Sequence, residues 1–324
     1  MLQRRQLLRL AGTGTACALY ARGSSAGTYL SRPIRWIVPF PAGGTTDLEA
    51  RLLGQWLSQR LGQQVIVENK PGGGTNVGVQ AAIAAPADGY TLLLTLATNT
   101  INPSLYKKLP FDFQHDIASV AGLADLPLIL EVNPSLPIKT VADLIAYAKA
   151  NPGRLNVASF GARTISDLAI ELFQLTAGID VVRVPYPGDA PMLIDLVSGR
   201  VQAAVDALPG SLAHIRAGDV RALALMSAKG SPTLPNVPTI GETIPGFEIK
   251  AWTGVGVPRG TPAAIVERLN REINAGLADP TIKAKLAEVG GTPLIYSPSE
   301  LRTLVASETK RWADLIKRAG IQPQ

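Results

Sequence analysis

Cysteine and histidine are almost absent from this chain of 324 residues, which contains one cysteine and two histidines. Cys17 lies in an N-terminal segment that resembles an export signal, so removal of that segment leaves no cysteine for a disulfide, a thiolate nucleophile or a metal site. His115 and His214 are far apart, and neither has the spacing to other His, Cys or Glu residues that is typical of metal ligands. The composition therefore argues against a metalloenzyme and a thiol enzyme.

The common motifs for nucleotide binding and nucleophilic catalysis are also missing. The sequence has no Gly-x-Ser-x-Gly elbow, and the glycine-rich stretch Gly72–Asn76 lacks the Gly-Lys-Ser/Thr ending of a phosphate-binding loop. No Gly-x-Gly-x-x-Gly follows the first predicted strand, which argues against a dinucleotide site. We expect no catalytic residue, no metal and no cofactor; a hydrolase or transferase is the disfavoured alternative.

The positive net charge of +6 favours a nucleic-acid partner at first sight. Residues 1–26, however, hold four of the 31 basic residues and no acidic residue, so the rest of the chain is nearly balanced. No cluster of Lys and Arg alternates with aromatic residues. We therefore expect no nucleic-acid binding.

Residues 1–26 predict an export signal, because a pair of arginines precedes a short apolar stretch, Leu7–Tyr20. That stretch is too short and too interrupted to span a bilayer. The segment Gln3–Leu8 resembles a twin-arginine signal, which would place the mature protein in the periplasm. Cys17 also allows a lipid anchor, although Gly14 stands where a lipobox prefers leucine. An ordinary basic arm is the remaining interpretation.

Strand-like runs alternate with helical patterns along the chain, which predicts α/β layers with parallel strands. Two short strands, Ser119–Leu123 and Leu128–Val132, mark a crossing into a second domain. The proline- and glycine-rich segment Gly230–Gly246 is typical of a return linker. The stretch Ile101–Pro103 is predicted to be a loop because it holds a proline.

The glycine turn Pro39–Asp47 connects a predicted strand, Ile34–Val38, to a predicted helix. Thr46 and Glu49 have the spacing of a capping box and place the start of the helix there. The inward face of this helix is predicted by apolar residues at helical spacing. These are Leu48, Leu52, Trp56 and Leu57.

Three glycine loops, at 43–47, 74–78 and 161–166, each precede a predicted helix. The first N–H groups of a helix lack internal partners and carry partial positive charge, which suits an anion. Two loops lie in one half of the chain and one in the other, which favours a cleft between domains that binds a small carboxylate. Side-chain donors and acceptors beside these loops are Thr45, Thr75, Asn76, Ser159 and Thr164. Tight turns with ordinary caps are the alternative.

A set of short stretches, from about Pro33 to the C-terminus, resembles the Bug-type solute receptors, the periplasmic components of tripartite tricarboxylate transporters. Each stretch is weakly specific alone, but their order and spacing together are highly specific. In chain order they are Pro39–Asp47, Val67–Gly72, Asp88–Leu93, Ile101–Tyr106, Val184–Tyr186, Gly199–Val201, Leu223–Ala224, Val237–Thr239 and Gly260–Pro262.

The resemblance implies a two-domain periplasmic binding protein of the type II, Venus-flytrap kind, with the ligand in the interdomain cleft. Residues 27–124 and 250–324 would form domain 1, and residues 125–249 would form domain 2. The implied ligand is a small organic acid, such as a di- or tricarboxylate, an aromatic acid or an acidic amino acid. The implied partners are the membrane subunits of the transporter, and the receptor itself would be a monomer.

Carried over by position, the resemblance implies that two loops of domain 1 hold one ligand carboxylate, partly through water, and that domain 2 closes over it. The residues of domain 1 are Phe40, Ala42, Gly43, Gly44, Thr45, Asp47, Gly74, Thr75 and Asn76. The residues of domain 2 are Ser159, Gly161, Arg163, Thr164 and Asp206.

The sequence departs from the family pattern in domain 2. Arg163 stands where a small glycine is usual, Asp167 where histidine is frequent, and Pro187 where lysine is frequent. Arg163 would pair either with a second ligand carboxylate or with Asp167. These departures bear on which acid is bound. A ligand-binding sensor that docks on a two-component kinase is the alternative function.

Overall fold

The computed structural model describes residues 29–323, so the predicted export signal and Cys17 lie outside the described residues. Its strands are β1 Ile34–Val38, β2 Val65–Asn69, β3 Thr91–Leu96, β4 Ile117–Asp125, β5 Leu128–Val132, β6 Asn156–Ser159, β7 Val182–Pro185, β8 Ala203–Ala207, β9 Arg221–Leu225, β10 Trp252–Pro258 and β11 Thr292–Pro293. Its helices are α1 Thr45–Leu61, α2 Asn76–Ile83, α3 Ala97–Leu105, α4 Phe113–Asp116, α5 Val141–Ala150, α6 Ile165–Ala177, α7 Asp189–Val197, α8 Leu208–Ala217, α9 Ala263–Ala278, α10 Pro280–Glu288 and α11 Pro298–Arg318.

The strands form two sheets, and each sheet with its helices makes one lobe. The sheet of lobe 1 has the order β11-β4-β10-β3-β1-β2, and that of lobe 2 has the order β7-β6-β8-β5-β9. Strand β1 is parallel to β2 and β3, whereas β10 runs antiparallel between β3 and β4. The chain enters lobe 2 between Asp125 and Leu128 and returns to lobe 1 between Leu225 and Trp252. The predicted α/β class is therefore confirmed.

Helix α1 packs on the sheet of lobe 1 through Ala50, Leu53, Leu57 and Leu61, all of which are buried. The predicted inward face was wrong in part, since Leu48 is 59% exposed. The stripe that faces the sheet includes a charged residue, and an apolar-spacing rule does not count charged residues as buried.

The predicted capping box of Thr46 and Glu49 was wrong as well. Helix α1 begins two residues earlier than that box predicts, with Gly44 as its N-cap and no side-chain cap. Glu49 is instead 5% exposed, and its carboxyl group accepts a hydrogen bond of 2.7 Å from the hydroxyl of Thr253 on β10. The first turn of α1 is therefore left without a capping side chain from its own N-cap residue.

The stretch Ile101–Pro103 lies inside helix α3, so its prediction as a loop was wrong. Burial explains the helix, because Ile101 is fully buried and Leu105 is 7% exposed. Asn99 also accepts a 2.8 Å hydrogen bond from the main-chain N–H of Leu96 at the start of the helix. Packing on lobe 1 and this cap outweigh the hydrogen bond lost at the proline.

No helix among residues 29–323 combines the length and the apolar character that crossing a membrane requires.

Candidate functional site

A cavity of about 50 Å³ lies between the two lobes. Its walls come from both sheets and from the helices that follow their strands. The lining residues are Phe40, Thr45, Thr46, Leu96, Ala97, Thr98, Leu126, Leu128, Phe160, Ile165, Asp189, Ala207, Ala251, Trp252 and Thr253.

Five helices begin at this cavity. From lobe 1, α1 starts at Thr45 and α3 at Ala97; from lobe 2, α6 starts at Ile165, α7 at Asp189, and α8 directly after Ala207. The N-terminus of a helix carries roughly half a positive charge and has N–H groups without internal partners. Main-chain groups therefore contribute a positive field at the cavity, whose lining contains no lysine or arginine and one carboxylate, that of Asp189.

The remaining walls are mostly apolar. Leu96, Leu126, Leu128 and Trp252 line the cavity. Phe40 of lobe 1 and the neighbouring Phe160 of lobe 2 face each other with ring centroids 5.8 Å apart and planes at 80°. This edge-to-face pair joins the lobes at the cavity wall.

Asp189 connects the lobes by hydrogen bonds. One carboxylate oxygen, Oδ2, accepts from both the main-chain N–H and the hydroxyl of Thr45 at 2.8 Å. The other oxygen, Oδ1, accepts from the N–H of Ala190 at 3.1 Å. The carboxylate thus lies between the N-termini of α1 and α7, and we call this contact the Asp189 clasp.

A second contact crosses the cavity at Thr98. Its hydroxyl oxygen accepts a 3.3 Å hydrogen bond from the N–H of Ile165, the first residue of α6. Thr98 belongs to α3 of lobe 1, so the start of a lobe 2 helix is held by a lobe 1 side chain. The two lobes are in direct contact around the cavity.

In the first predicted loop, Phe40 and Thr45 line the cavity, whereas Ala42 and Gly43 are exposed away from it. Gly44 is buried behind the Asp189 clasp: a Cβ atom built on it would overlap Oδ1 of Asp189.

Asp47 is buried, but it does not line the cavity. Its carboxylate accepts from the N–H of Gly43 at 2.9 Å, from Arg51 Nε at 2.8 Å and from Asn69 Nδ2 at 3.0 Å. Burial works to raise the pKa of Asp47, but these hydrogen bonds outweigh it and hold the pKa below its ordinary value. Asp47 therefore shapes the loop.

In the second loop, Gly74 and Thr75 line a larger cleft of about 750 Å³. The Thr75 hydroxyl accepts from Asn99 Nδ2 at 2.9 Å. The side-chain amide oxygen of Asn76, Oδ1, accepts from Asn102 Nδ2 at 2.7 Å. Both partners lie on α3. Asn76 lines neither the cavity nor the larger cleft, and its side chain ties the loop to α3.

In the third loop, Gly161, Arg163 and Thr164 line the same larger cleft. The hydroxyls of Ser159 and Thr164 donate to the carbonyl oxygen of Gly161, at 3.4 and 2.7 Å. These two hydroxyls therefore stabilise the turn itself. The structure brings the second and third loops together at one cleft, next to the smaller cavity.

The Arg163 guanidinium lies over the ring of Tyr106 at 4.6 Å, a cation–π contact between the lobes. Its main-chain N–H donates to Asp167 at 2.9 Å. Asp167 also pairs with Arg183 at 3.3 Å, and Arg183 reaches Glu171 at 2.9 Å. The neighbour of Arg163 that sequence reasoning missed is therefore an aromatic ring on lobe 1.

Asp206 is fully buried and does not line the cavity. Its carboxyl group accepts from the N–H of Ala207 at 2.8 Å and lies 2.8 Å from the Ser211 hydroxyl, which is also 2.8 Å from Glu131. Burial, followed by the charges of Asp189 and Glu131, raises the pKa of Asp206. Burial raises the pKa of Glu131 to about 8.

Sequence reasoning missed several residues of the cavity, namely Thr98, Phe160, Asp189, Trp252 and Thr253. A signal existed for Asp189, because it follows Gly188 and begins helix α7, much as glycine loops precede the helices that were identified. Thr98 was hidden because α3 was not predicted. Trp252 and Thr253 come from the returning strand, and only the sheet order brings them here.

A family model described as "Tripartite tricarboxylate transporter family receptor" matches residues 49–321. Protein BugT of Bordetella pertussis is 39% identical over 318 residues, which cover 97% of this chain and 98% of the relative. The solved structure "R. palustris Rpa4515 with adipate" is 38% identical with a TM-score of 0.88, covering 91% of this chain and 99% of the other. MatC (Rpa3494) from Rhodopseudomonas palustris with bound malate is 31% identical with a TM-score of 0.84, covering 88% and 99%.

Proposed function

Because the chain belongs to the family of tripartite tricarboxylate transporter receptors, we propose that it captures a small carboxylic acid between its lobes and presents it to a membrane transporter. One observation carries the proposal: the N-termini of five helices, from both lobes, meet at one cavity. A carboxylate there would contact lobe 1 and lobe 2 together, so its binding would favour the closed arrangement.

The energetics of such a site are sufficient without a charged side chain. Each helix N-terminus stabilises an anion by about 0.3–1 kcal/mol, and up to ~2 kcal/mol where the group is partly buried. A hydrogen bond to a charged group adds about 1.5–3 kcal/mol. A few such bonds with apolar contact to Phe40 and Phe160 reach the ~8 kcal/mol of a micromolar complex.

The solved relatives support the same class of ligand, since one of them was solved with adipate and another with bound malate. We propose as ligand-binding residues the three predicted loops with the cavity residues that they adjoin. Phe40 would contact the acid, and Thr45 would hold the Asp189 carboxylate at the cavity. Asp47 and Asn76 would hold the loops, and Arg163 would line the larger cleft.

We further propose that the protein acts in the periplasm as a monomer, after export by the N-terminal segment. The two lobes would be the two domains, with residues 27–124 and 250–324 in one and residues 125–249 in the other. The strand crossings between β4 and β5 and between β9 and β10 would be the hinge. The membrane subunits of the transporter would recognise the closed form.

Thermal unfolding in the presence of carboxylic acids tests this function. An acid that binds only the folded protein raises the melting temperature, and the rise grows with the logarithm of its concentration relative to its Kd. A panel of linear and aromatic acids of two to eight carbons, with malate and adipate included, is expected to give at least one shift that the corresponding uncharged amide does not give. Calorimetry then measures the affinity, and mass spectrometry checks that the acid is recovered unchanged. Absence of any charge-dependent shift, or chemical conversion of the bound acid, would overturn the proposal.

A further inference from the structure

The position that a ligand carboxylate would take at the N-terminus of α1 is already occupied by a side chain of the protein. Oδ2 of Asp189 accepts both donors of Thr45, the N–H and the hydroxyl, at 2.8 Å. A ligand carboxylate at this helix end would have to bind beside a fixed negative charge or displace it.

The N-terminus of a second helix, α8, also has a carboxylate partner within the protein. The N–H of Ala207, which precedes α8, donates to Asp206 at 2.8 Å. Asp189 thus lies at α1 and α7 and Asp206 at α8, whereas no acidic residue that lines the cavity lies at the ends of α3 and α6. Asp167, in the first turn of α6, lines the larger cleft instead. These two ends meet at the Thr98–Ile165 contact, where the N–H of Ile165 donates to the uncharged Thr98 hydroxyl. A ligand carboxylate would replace that hydroxyl as the acceptor at one site between the two helix ends.

The rest of the cavity is largely apolar, with the side chains of Thr46 and Thr253 as its further polar groups. Beyond Thr98 and Ile165, its walls include the rings of Phe40, Phe160 and Trp252 and the side chains of two leucines from β5 and the segment before it. Burying an alkyl chain or a ring against such walls is favourable, whereas burying a second carboxylate there without a partner is costly.

We propose that Asp189 is a specificity-determining residue, which reserves the α1 end of the cavity and restricts the receptor to acids with a single carboxylate and an apolar body. This inference rests on the proposed function and deepens it. The ligand expected here differs from those of the relatives solved with adipate and malate, because both of those acids are dicarboxylates.

Hexanoate and adipate are the probes that test this, because the two molecules have the same carbon chain and differ by one carboxylate. Calorimetry at pH 7 on the wild type is expected to show hexanoate binding at least tenfold more tightly than adipate. In Asp189→Ala the α1 N-terminus is open, and the ratio of the two affinities is expected to shift towards adipate by at least tenfold.

Two further variants make the result specific. Asp189→Asn keeps the size of the side chain and removes the charge, so it is expected to shift the ratio in the same direction even if the alanine variant folds poorly. Asp180→Ala removes a charge from an exposed position of lobe 2 and is expected to leave the ratio unchanged.

An equal ratio in wild type and both Asp189 variants, or a wild type that prefers adipate, would overturn this inference and leave the receptor function standing. Failure of every acid of the wider panel to bind would instead overturn the proposed function, and the inference with it.

Discussion

The hydroxyl group of Ser211 lies 2.8 Å from a carboxyl oxygen of Glu131 and 2.8 Å from a carboxyl oxygen of Asp206. A hydroxyl has one proton and can donate to only one of the two. The other contact is a hydrogen bond only if its carboxyl group is protonated and donates to the Ser211 oxygen. Both side chains are fully buried, which favours the neutral form. The pair therefore holds a proton at neutral pH.

The first prediction is that the free energy of unfolding falls between about pH 5 and pH 8. Burial raises the pKa of Glu131 from 4.5 to about 8 in the folded state. Between these values the folded state binds more protons than the unfolded state, so stability decreases as pH rises, by up to ~1.4 kcal/mol per pH unit for one group. Urea unfolding of the wild type at pH 5, 6, 7 and 8 measures this slope.

Glu131→Gln is expected to reduce the slope, because a neutral amide can donate to Ser211 at every pH. Glu49 is a second contributor, since burial raises its pKa from 4.5 to about 8 as well. Glu49→Gln therefore serves as the parallel variant, and the double variant is expected to have a smaller slope than either single variant. An unchanged slope in the double variant would contradict the shared-proton arrangement.

The sequence allowed the first glycine loop to be identified, because the strand, the turn and the helix that follows are all encoded locally. Helix α3 was missed, because its proline and polar residues oppose a helix, and burial of Ile101 and Leu105 together with the Asn99 cap stabilises it. The role of Asp189 was missed for a different reason. Its partner, Thr45, lies 144 residues earlier in the chain and on the other lobe. A contact that exists only when two lobes meet leaves no periodic pattern in either segment.

The second prediction concerns Asp47, which holds the first loop through Gly43, Arg51 and Asn69. Asp47→Ala leaves these donors without their acceptor, so we expect a loss of about 1–3 kcal/mol in the free energy of unfolding. Urea unfolding at pH 7 measures the loss. Because the pKa of Asp47 is lowered in the folded state, the difference from wild type should shrink as pH falls through that lowered value. A variant as stable as wild type at pH 7 would show that the loop does not depend on this carboxylate.

The third prediction concerns the edge-to-face pair of Phe40 and Phe160 across the cavity. Phe160→Leu keeps an apolar side chain and removes the ring contact, which is worth about 0.5–1.5 kcal/mol. Since only the closed arrangement contains this contact, acid binding is expected to weaken by about 2- to 10-fold. Calorimetry with the best acid of the panel measures the change.

Phe173→Leu is the matched control for that pair. Phe173 makes a similar contact with Phe247, with ring centroids 6.3 Å apart and planes at 88°, but neither ring lines the cavity. This variant is expected to lose stability without losing affinity for the acid. Equal loss of affinity in both variants would mean that the binding effect reflects general destabilisation.

The fourth prediction tests the Asp189 clasp from the opposite lobe. Gly44 has φ −88° and ψ 176°, an extended backbone that alanine adopts without strain. A Cβ atom there would nevertheless overlap Oδ1 of Asp189, so Gly44→Ala is expected to displace the carboxylate. The ratio of hexanoate to adipate affinity should then shift in the same direction as in Asp189→Ala, although no charge has been removed.

Gly43→Ala separates the clasp from a general effect on this turn. Gly43 has φ +86°, so alanine is strained there, but a Cβ atom at this position meets no other atom within 4 Å. We expect this neighbouring variant to lose about 1 kcal/mol of stability and to keep the wild-type preference between the two acids. If both glycine variants changed the preference equally, the turn as a whole would govern it. A change in Gly44→Ala alone would assign the preference to the place that the Asp189 carboxylate occupies.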